Sequence, residues 1–100
     1  MAPKVLVSDK LSETAVQIFR DRGIEVDFDP SIGKDKDKLL SVIDQYDGLA
    51  IRSATKATEK IINAASNLKV IGRAGIGVDN IDRAAASKKG VIVMNTPFGN

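Results

Sequence analysis

The chain contains no cysteine, no histidine and no tryptophan, and a single tyrosine. Without cysteine there is no disulfide framework, so a packed core must hold the fold, and the composition suits a reducing compartment. The missing histidine excludes more. Imidazole is the commonest proton-transfer side chain and the one whose unperturbed pKa lies near neutrality. No Ser–His, Cys–His or His–Asp device can therefore form from these residues. With neither thiolate nor imidazole available, zinc loses its usual ligands, and the carboxylates that remain suit harder cations. A flavin ring would find little to stack on. Catalysis would have to use Lys, Arg, Asp, Glu or Tyr, or borrow groups from elsewhere.

An excess of one charge is also lacking. Lysine and arginine number 15 against 13 aspartates and glutamates, for a net charge of +2. The densest charged run, Lys34-Asp35-Lys36-Asp37-Lys38, alternates in sign, which reads as a solvated helix start and not as a nucleic-acid footprint. No apolar run approaches the ~18 residues of a membrane span, and residues 1–7 are too short for a signal-peptide core. These features predict a cytoplasmic protein with no nucleic-acid or membrane partner. A chain of 100 residues, 43% of them hydrophobic, can bury roughly 60 to 70% of its unfolded surface, enough for one core.

What the sequence does contain is alternation. Short runs rich in Val, Ile and Leu at 4–7, 24–28, 48–51, 69–71 and 91–94 predict five strands buried on both faces. Between them lie segments of helical period. Leu11, Ala15, Ile18 and Phe19 form one stripe, with Ser12 as N-cap and Gly23 as stop. Leu39, Leu40 and Ile43 form a second, and Ile61, Ile62 and Ala65 a third, capped by Thr58. The fourth runs from Asp79 as N-cap through Ala84-Ala85-Ala86 to Lys88-Lys89 and Gly90. Regular β-α units predict an α/β fold: a doubly wound, flavodoxin-like parallel sheet of about five strands in order 2-1-3-4-5. Right-handed crossovers would then place the first helix on one face and the next three on the other, leaving one face under-covered. Because the sequence stops just after the fifth strand and a Pro97-Phe98-Gly99 turn, residues 1–100 are expected to be the N-terminal piece of a longer polypeptide, or to need a partner on the bare face.

Ligands of open α/β sheets bind beyond the carboxyl ends of the strands. That edge carries Ser8-Asp9, Asp29-Pro30, Arg52-Ser53, the stretch from Gly72 to Gly77, and Asn95-Thr96-Pro97. Two arginines, Arg52 and Arg73, thus fall at the ends of neighbouring strands, beside glycines whose backbone N–H groups can point at an anion. A small anionic ligand is the inference. The plainer alternative pairs these arginines with acids such as Asp9 or Asp79 and leaves the glycines to make a tight turn. Gly75-Ile76-Gly77-Val78-Asp79-Asn80 begins like a dinucleotide fingerprint, but Asn80 replaces its third glycine and the next strand ends without an acid for the ribose. A complete dinucleotide site is not expected. A phosphoacceptor receiver domain is excluded because Arg52 stands where the acceptor aspartate would be. A non-catalytic regulatory or assembly domain remains open on composition.

Arg52-Ser53-Ala54-Thr55-Lys56, Asn63-Ala64-Ala65, the segment from Val70 to Asp82, and Val93-Met94-Asn95-Thr96-Pro97 together resemble the N-terminal substrate-binding part of the D-isomer-specific 2-hydroxyacid dehydrogenase family. Within that family, Arg-Ser-Ala-Thr-Lys with Gly-Arg-Ala-Gly and Asn-Thr-Pro is most similar to the members acting on 3-phosphoglycerate. The resemblance covers essentially the whole chain. It implies NAD-dependent oxidation of 3-phosphoglycerate to 3-phosphohydroxypyruvate at the start of serine biosynthesis, or, as an alternative, oxidation of another D-2-hydroxy acid. The full-length enzyme is expected to be a homo-oligomer. In such enzymes the catalytic Arg, Glu and His, and the main NAD-binding glycine motif, lie later in the chain, so no catalytic residue is expected here and residues 1–100 alone should be inactive. By the same resemblance, Arg52 and Ser53 contact substrate, Arg73 adds positive charge toward its phosphate, and the N–H groups of Gly75, Ile76 and Gly77 hold its carboxylate. Asn100 matches an active-site Asn, and Ile76 also touches the nicotinamide end of the cofactor. Phe98 departs from the polar residue some relatives carry.

Overall fold

The computed structural model describes residues 3–10, 13–52, 54–74 and 80–96. The β-branched and aliphatic runs form β1 (Lys4–Val7), β2 (Glu25–Phe28), β3 (Gly48–Ile51), β4 (Val70–Ala74) and β5 (Ile92–Thr96). All pair in parallel, in the predicted order β2-β1-β3-β4-β5. Between them come α1 (Glu13–Asp21), α2 (Lys36–Val42), α3 (Glu59–Ala64) and α4 (Arg83–Lys89). Short 3-10 turns occupy Ile32–Lys34 and Ile43–Gln45.

Local chemistry sets the helix ends. Gly23 lies in the left-handed region at φ +77°. Its N–H bonds the Arg20 carbonyl while the N–H of Ile24 bonds that of Phe19, the paired pattern of a Schellman stop. Asp35 caps α2 by accepting from the Lys38 N–H at 3.1 Å, and Thr58 caps α3, as its sequence position predicts. Helix α4 begins later than the expected Asp79 cap; Asp82 caps it, accepting from the Ala85 N–H at 3.0 Å. The reason is a short parallel bridge between Ala57 and Ile81. The Ala57 N–H bonds the Asn80 carbonyl and the Asp82 N–H bonds the Ala57 carbonyl, each at 2.9 Å, which holds these residues extended. Leu11, Ser12 and Asp79, and the side chains of Ala15 and Ile18, lie outside what is described.

Among the described residues, two hydrophobic clusters flank the sheet. On one face Leu6, Leu49, Ile51 and Ile71 pack against Leu39, Ile61, Ile62, Ala85 and Ala86 of α2, α3 and α4. On the other, Val5, Val7 and Ala50 pack against Val16 of α1, with Phe19, Ile24 and Val26 at the margin. The distribution is the one expected from right-handed crossovers. Helix α1 does not extend over β4 and β5: a Cβ on Gly72 would meet open space, and Ile92 and Met94 are 63% and 50% exposed.

The amino ends of the strands are tied by Asp47. Its carboxylate accepts from the Lys4 backbone N–H at 2.9 Å and pairs with the Lys69 ammonium at 3.4 Å. Its own N–H and carbonyl bond Lys4 and Lys69, each at 2.8 Å. Nearby, the Tyr46 hydroxyl donates to Asp27 at 2.7 Å. Burial, reinforced by that carboxylate, raises the phenol above its ordinary value.

Candidate functional site

At the opposite, carboxyl edge, Asp9 follows β1 and is only 2% exposed. A buried carboxylate needs hydrogen bonds or a counter-charge, and Asp9 has the former. One oxygen accepts from the backbone N–H groups of Arg52, at 2.6 Å, and Thr55, at 3.0 Å; the other accepts the Thr55 hydroxyl at 2.7 Å. The Ser8 hydroxyl joins Thr55 Oγ1 at 2.7 Å. Among the described residues no cation forms a salt bridge with Asp9.

The plainer pairing of Arg52 with Asp9 is thus met through the backbone and not through the guanidinium. Arg52 follows β3 and is exposed; its Nη1 donates to the Lys10 carbonyl at 3.1 Å, which uses one of the five N–H donors of its fork. Arg73 belongs to β4 and does not lie past its end as the sequence predicts, because Gly72, Arg73 and Ala74 continue the ladder with Met94, Asn95 and Thr96. It stands opposite Ile51. Its Nε donates to Asn80 Oδ1 at 2.7 Å.

The two arginines are neighbours in backbone position, yet their side chains diverge. That of Arg52 runs toward the β1–α1 connection. That of Arg73 lies on the α3–α4 side, where it lines a cleft of about 610 Å³ together with Lys56, Asn80, Glu59 and Asp82. Asn80 spans the gap between them: its Nδ2 donates to the carbonyl oxygens of Arg52 at 2.5 Å and Thr55 at 2.6 Å. The edge therefore presents two guanidinium groups, the charge and donor type that suit an anion. Sequence reasoning places Asp9 at this edge as a candidate partner of the arginines and reads Asn80 only as a replaced glycine, with no site role for either; the signal of Asp9 is its position after β1. Of the remaining candidates, Ser53, Gly75, Ile76, Gly77 and Asn100 lie outside the described residues.

The Asn80 amide, standing where a fingerprint would need its third glycine, is committed to two carbonyls and Arg73. Strand β5 ends in Asn95 and Thr96, with no carboxylate for a ribose. Among the described residues no helix is long and apolar enough to cross a membrane.

Comparison with known proteins gives the same direction. The family model for the D-isomer specific 2-hydroxyacid dehydrogenase catalytic domain matches residues 5–100. The chain is 47% identical over 97 residues to the D-3-phosphoglycerate dehydrogenase of Sus scrofa, a match spanning 97% of this chain and 18% of that protein. With the enzyme of the same name from Methanocaldococcus jannaschii it shares 50% identity over 95 residues, 94% of this chain and 17% of that protein. It superposes with a TM-score of 0.83 on the crystal structure of cofactor (NAD+) bound 3-phosphoglycerate dehydrogenase in Entamoeba histolytica, at 36% identity, covering 97% of this chain and 33% of that one. The chain thus spans less than a fifth of the length of these two curated relatives.

Proposed function

Because the chain belongs to the D-isomer specific 2-hydroxyacid dehydrogenase family, we propose that residues 1–100 form the substrate-binding domain of a cytoplasmic, homo-oligomeric, NAD-dependent enzyme that oxidises 3-phosphoglycerate to 3-phosphohydroxypyruvate in serine biosynthesis. The observation that carries this reading is the pair of arginines, Arg52 and Arg73, joined through Asn80 at the carboxyl edge of the sheet. Their division suits a ligand with two anionic ends. The exposed Arg52 fork meets one part of the substrate, with Ser53 beside it. Arg73, with Lys56 in the same cleft, brings positive charge toward the phosphate. The N–H groups of Gly75, Ile76 and Gly77 are assigned to the substrate carboxylate, Ile76 to the nicotinamide end as well, and Asn100 to the substrate. Fixing both ends orients the C2 hydroxyl and hydrogen, and such positioning is a large part of what a dehydrogenase must supply. Proton transfer and most of the NAD contacts are assigned to parts of the enzyme outside this chain, in keeping with its lack of histidine.

In the full-length enzyme bearing this sequence, Arg52→Ala should lower kcat/KM for 3-phosphoglycerate by about 1.5 to 3 kcal/mol, the range for hydrogen bonds to charged groups. Steady-state kinetics that leave kcat/KM unchanged would overturn the assignment.

A further inference from the structure

The segment that carries Arg52 is gripped on both of its hydrogen-bonding sides. Asp9 takes the N–H groups of Arg52 and Thr55 at 2.6 and 3.0 Å. Asn80 supplies the opposite partners, donating to the carbonyl oxygens of the same two residues at 2.5 and 2.6 Å. The remaining end of the Asn80 amide accepts from Arg73 Nε at 2.7 Å. Only one orientation of the amide satisfies this arrangement, since a flipped group would set its oxygen against two carbonyl oxygens and its NH2 against a guanidinium. The backbone of Asn80 is held in turn by the Ala57 N–H at 2.9 Å. Its side chain therefore sits on a fixed base and cannot yield to either arginine independently.

We propose that Asn80 is a positioning residue that couples Arg52 to Arg73, so that the two cations meet the two ends of an anionic substrate as one unit, with Asp9 as the fixed anchor behind them. Asn80 touches no reacting atom in this role. It acts through the backbone of 52–55 on one side and the Arg73 guanidinium on the other. The proposal rests on the substrate-binding reading of Arg52 and Arg73 and adds that their contributions are not independent. Residues in one hydrogen-bond network deviate from additivity, and a double-mutant cycle measures the deviation.

The test uses the full-length enzyme, the single variants Arg52→Ala, Arg73→Ala, Asn80→Ala and Asn80→Asp, and the doubles that combine each Asn80 variant with each arginine variant. Asn80→Ala should raise KM for 3-phosphoglycerate about tenfold, the equivalent of one hydrogen bond to a charged group, while kcat changes less. Adding Arg73→Ala to Asn80→Ala should raise KM by clearly less than Arg73→Ala does alone. Asn80→Asp keeps an acceptor for Arg73 but sets an oxygen against the two carbonyls. It should retain the coupling to Arg73 and lose that to Arg52, a split that a merely structural role would not produce. An unchanged KM in Asn80→Ala, or strict additivity with Arg73→Ala, overturns the coupling while leaving the substrate-binding reading intact. If Arg52→Ala and Arg73→Ala themselves leave KM unchanged, the substrate-binding reading falls and the coupling falls with it. Should Asn80→Ala not fold, the additivity of Asn80→Asp with each arginine variant decides the matter.

Discussion

At Gly33 an added methyl group would meet Asp9 Oδ1, the Ser8 carbonyl oxygen and Thr55 Oγ1 together. Its backbone is not in the left-handed region, unlike that of Gly23 and Gly90, so close approach and not dihedral freedom is what calls for glycine here. Those three atoms belong to the buried cluster that holds residues 52–55, which leaves a substituent little room to be absorbed. Gly33→Ala should therefore destabilise the protein by about 1 to 3 kcal/mol, the usual cost of overfilling a packed site, read as a shift in urea midpoint. An unchanged midpoint would show that the Ile32–Lys34 turn swings away freely. Nothing local in the sequence marks Gly33, because its neighbours in space come from the ends of β1 and β3. Asp9 is opaque for the same reason: a single acid after a strand looks solvated until Thr55 and the Arg52 N–H are folded over it. Arg52 stands out because charge just past a strand is a local signal; Arg73 reads the same way in sequence although it lies within β4, and the Asn80 link between the two depends on a bridge that Ala57 makes with Ile81.

Among the elements, those with strong local grammar were the most legible. Thr58 before Glu59, and Gly23 and Gly90 after basic turns, mark helix ends without reference to the rest of the fold. The start of α4 was misplaced because Asp79 and Asp82 are both competent caps, and the choice is made by Ala57 pulling residues 80–82 into an extended bridge. The strand ends are joined by an acid whose role is electrostatic as well as geometric. The Lys4 backbone N–H, followed by the Lys69 ammonium, holds the Asp47 carboxyl below its ordinary value of 3.8. A carboxyl whose folded-state pKa is depressed adds stability that is present above the ordinary value and is lost as pH falls below it through the folded value. Asp47→Asn should therefore lower stability near neutrality and make the loss between neutral and strongly acidic pH less steep. Urea midpoints measured across that range would give parallel profiles for the two proteins if Asp47 were not a contributor.

Taken as one molecule, the sheet is covered unevenly. Ile92 and Met94 of β5 are more exposed than hydrophobic residues of a closed sheet would be, and being two residues apart on one strand they point to the same face. Residues 1–100 produced alone should brighten an anilinonaphthalene sulfonate dye while remaining folded by circular dichroism, and Ile92→Lys with Met94→Lys should dim it. A folded monomer that leaves the dye dark would show that the strip is too small to matter. The order of strands matches the commoner doubly wound arrangement assumed from the β-α alternation, and the sidedness of the helices follows from it because crossover handedness is nearly invariant; how far α1 reaches across the sheet was not legible, being a matter of packing. The two cores also divide the elements between the faces of the sheet. Among the described residues, helix α1 and the edge strand β2 rest on the cluster of Val5, Val7, Val16 and Ala50. Arg52 and Arg73 ride on β3 and β4, whose Leu49, Ile51 and Ile71 pack into the other core, so the spacing of their backbones is set by packing on that face.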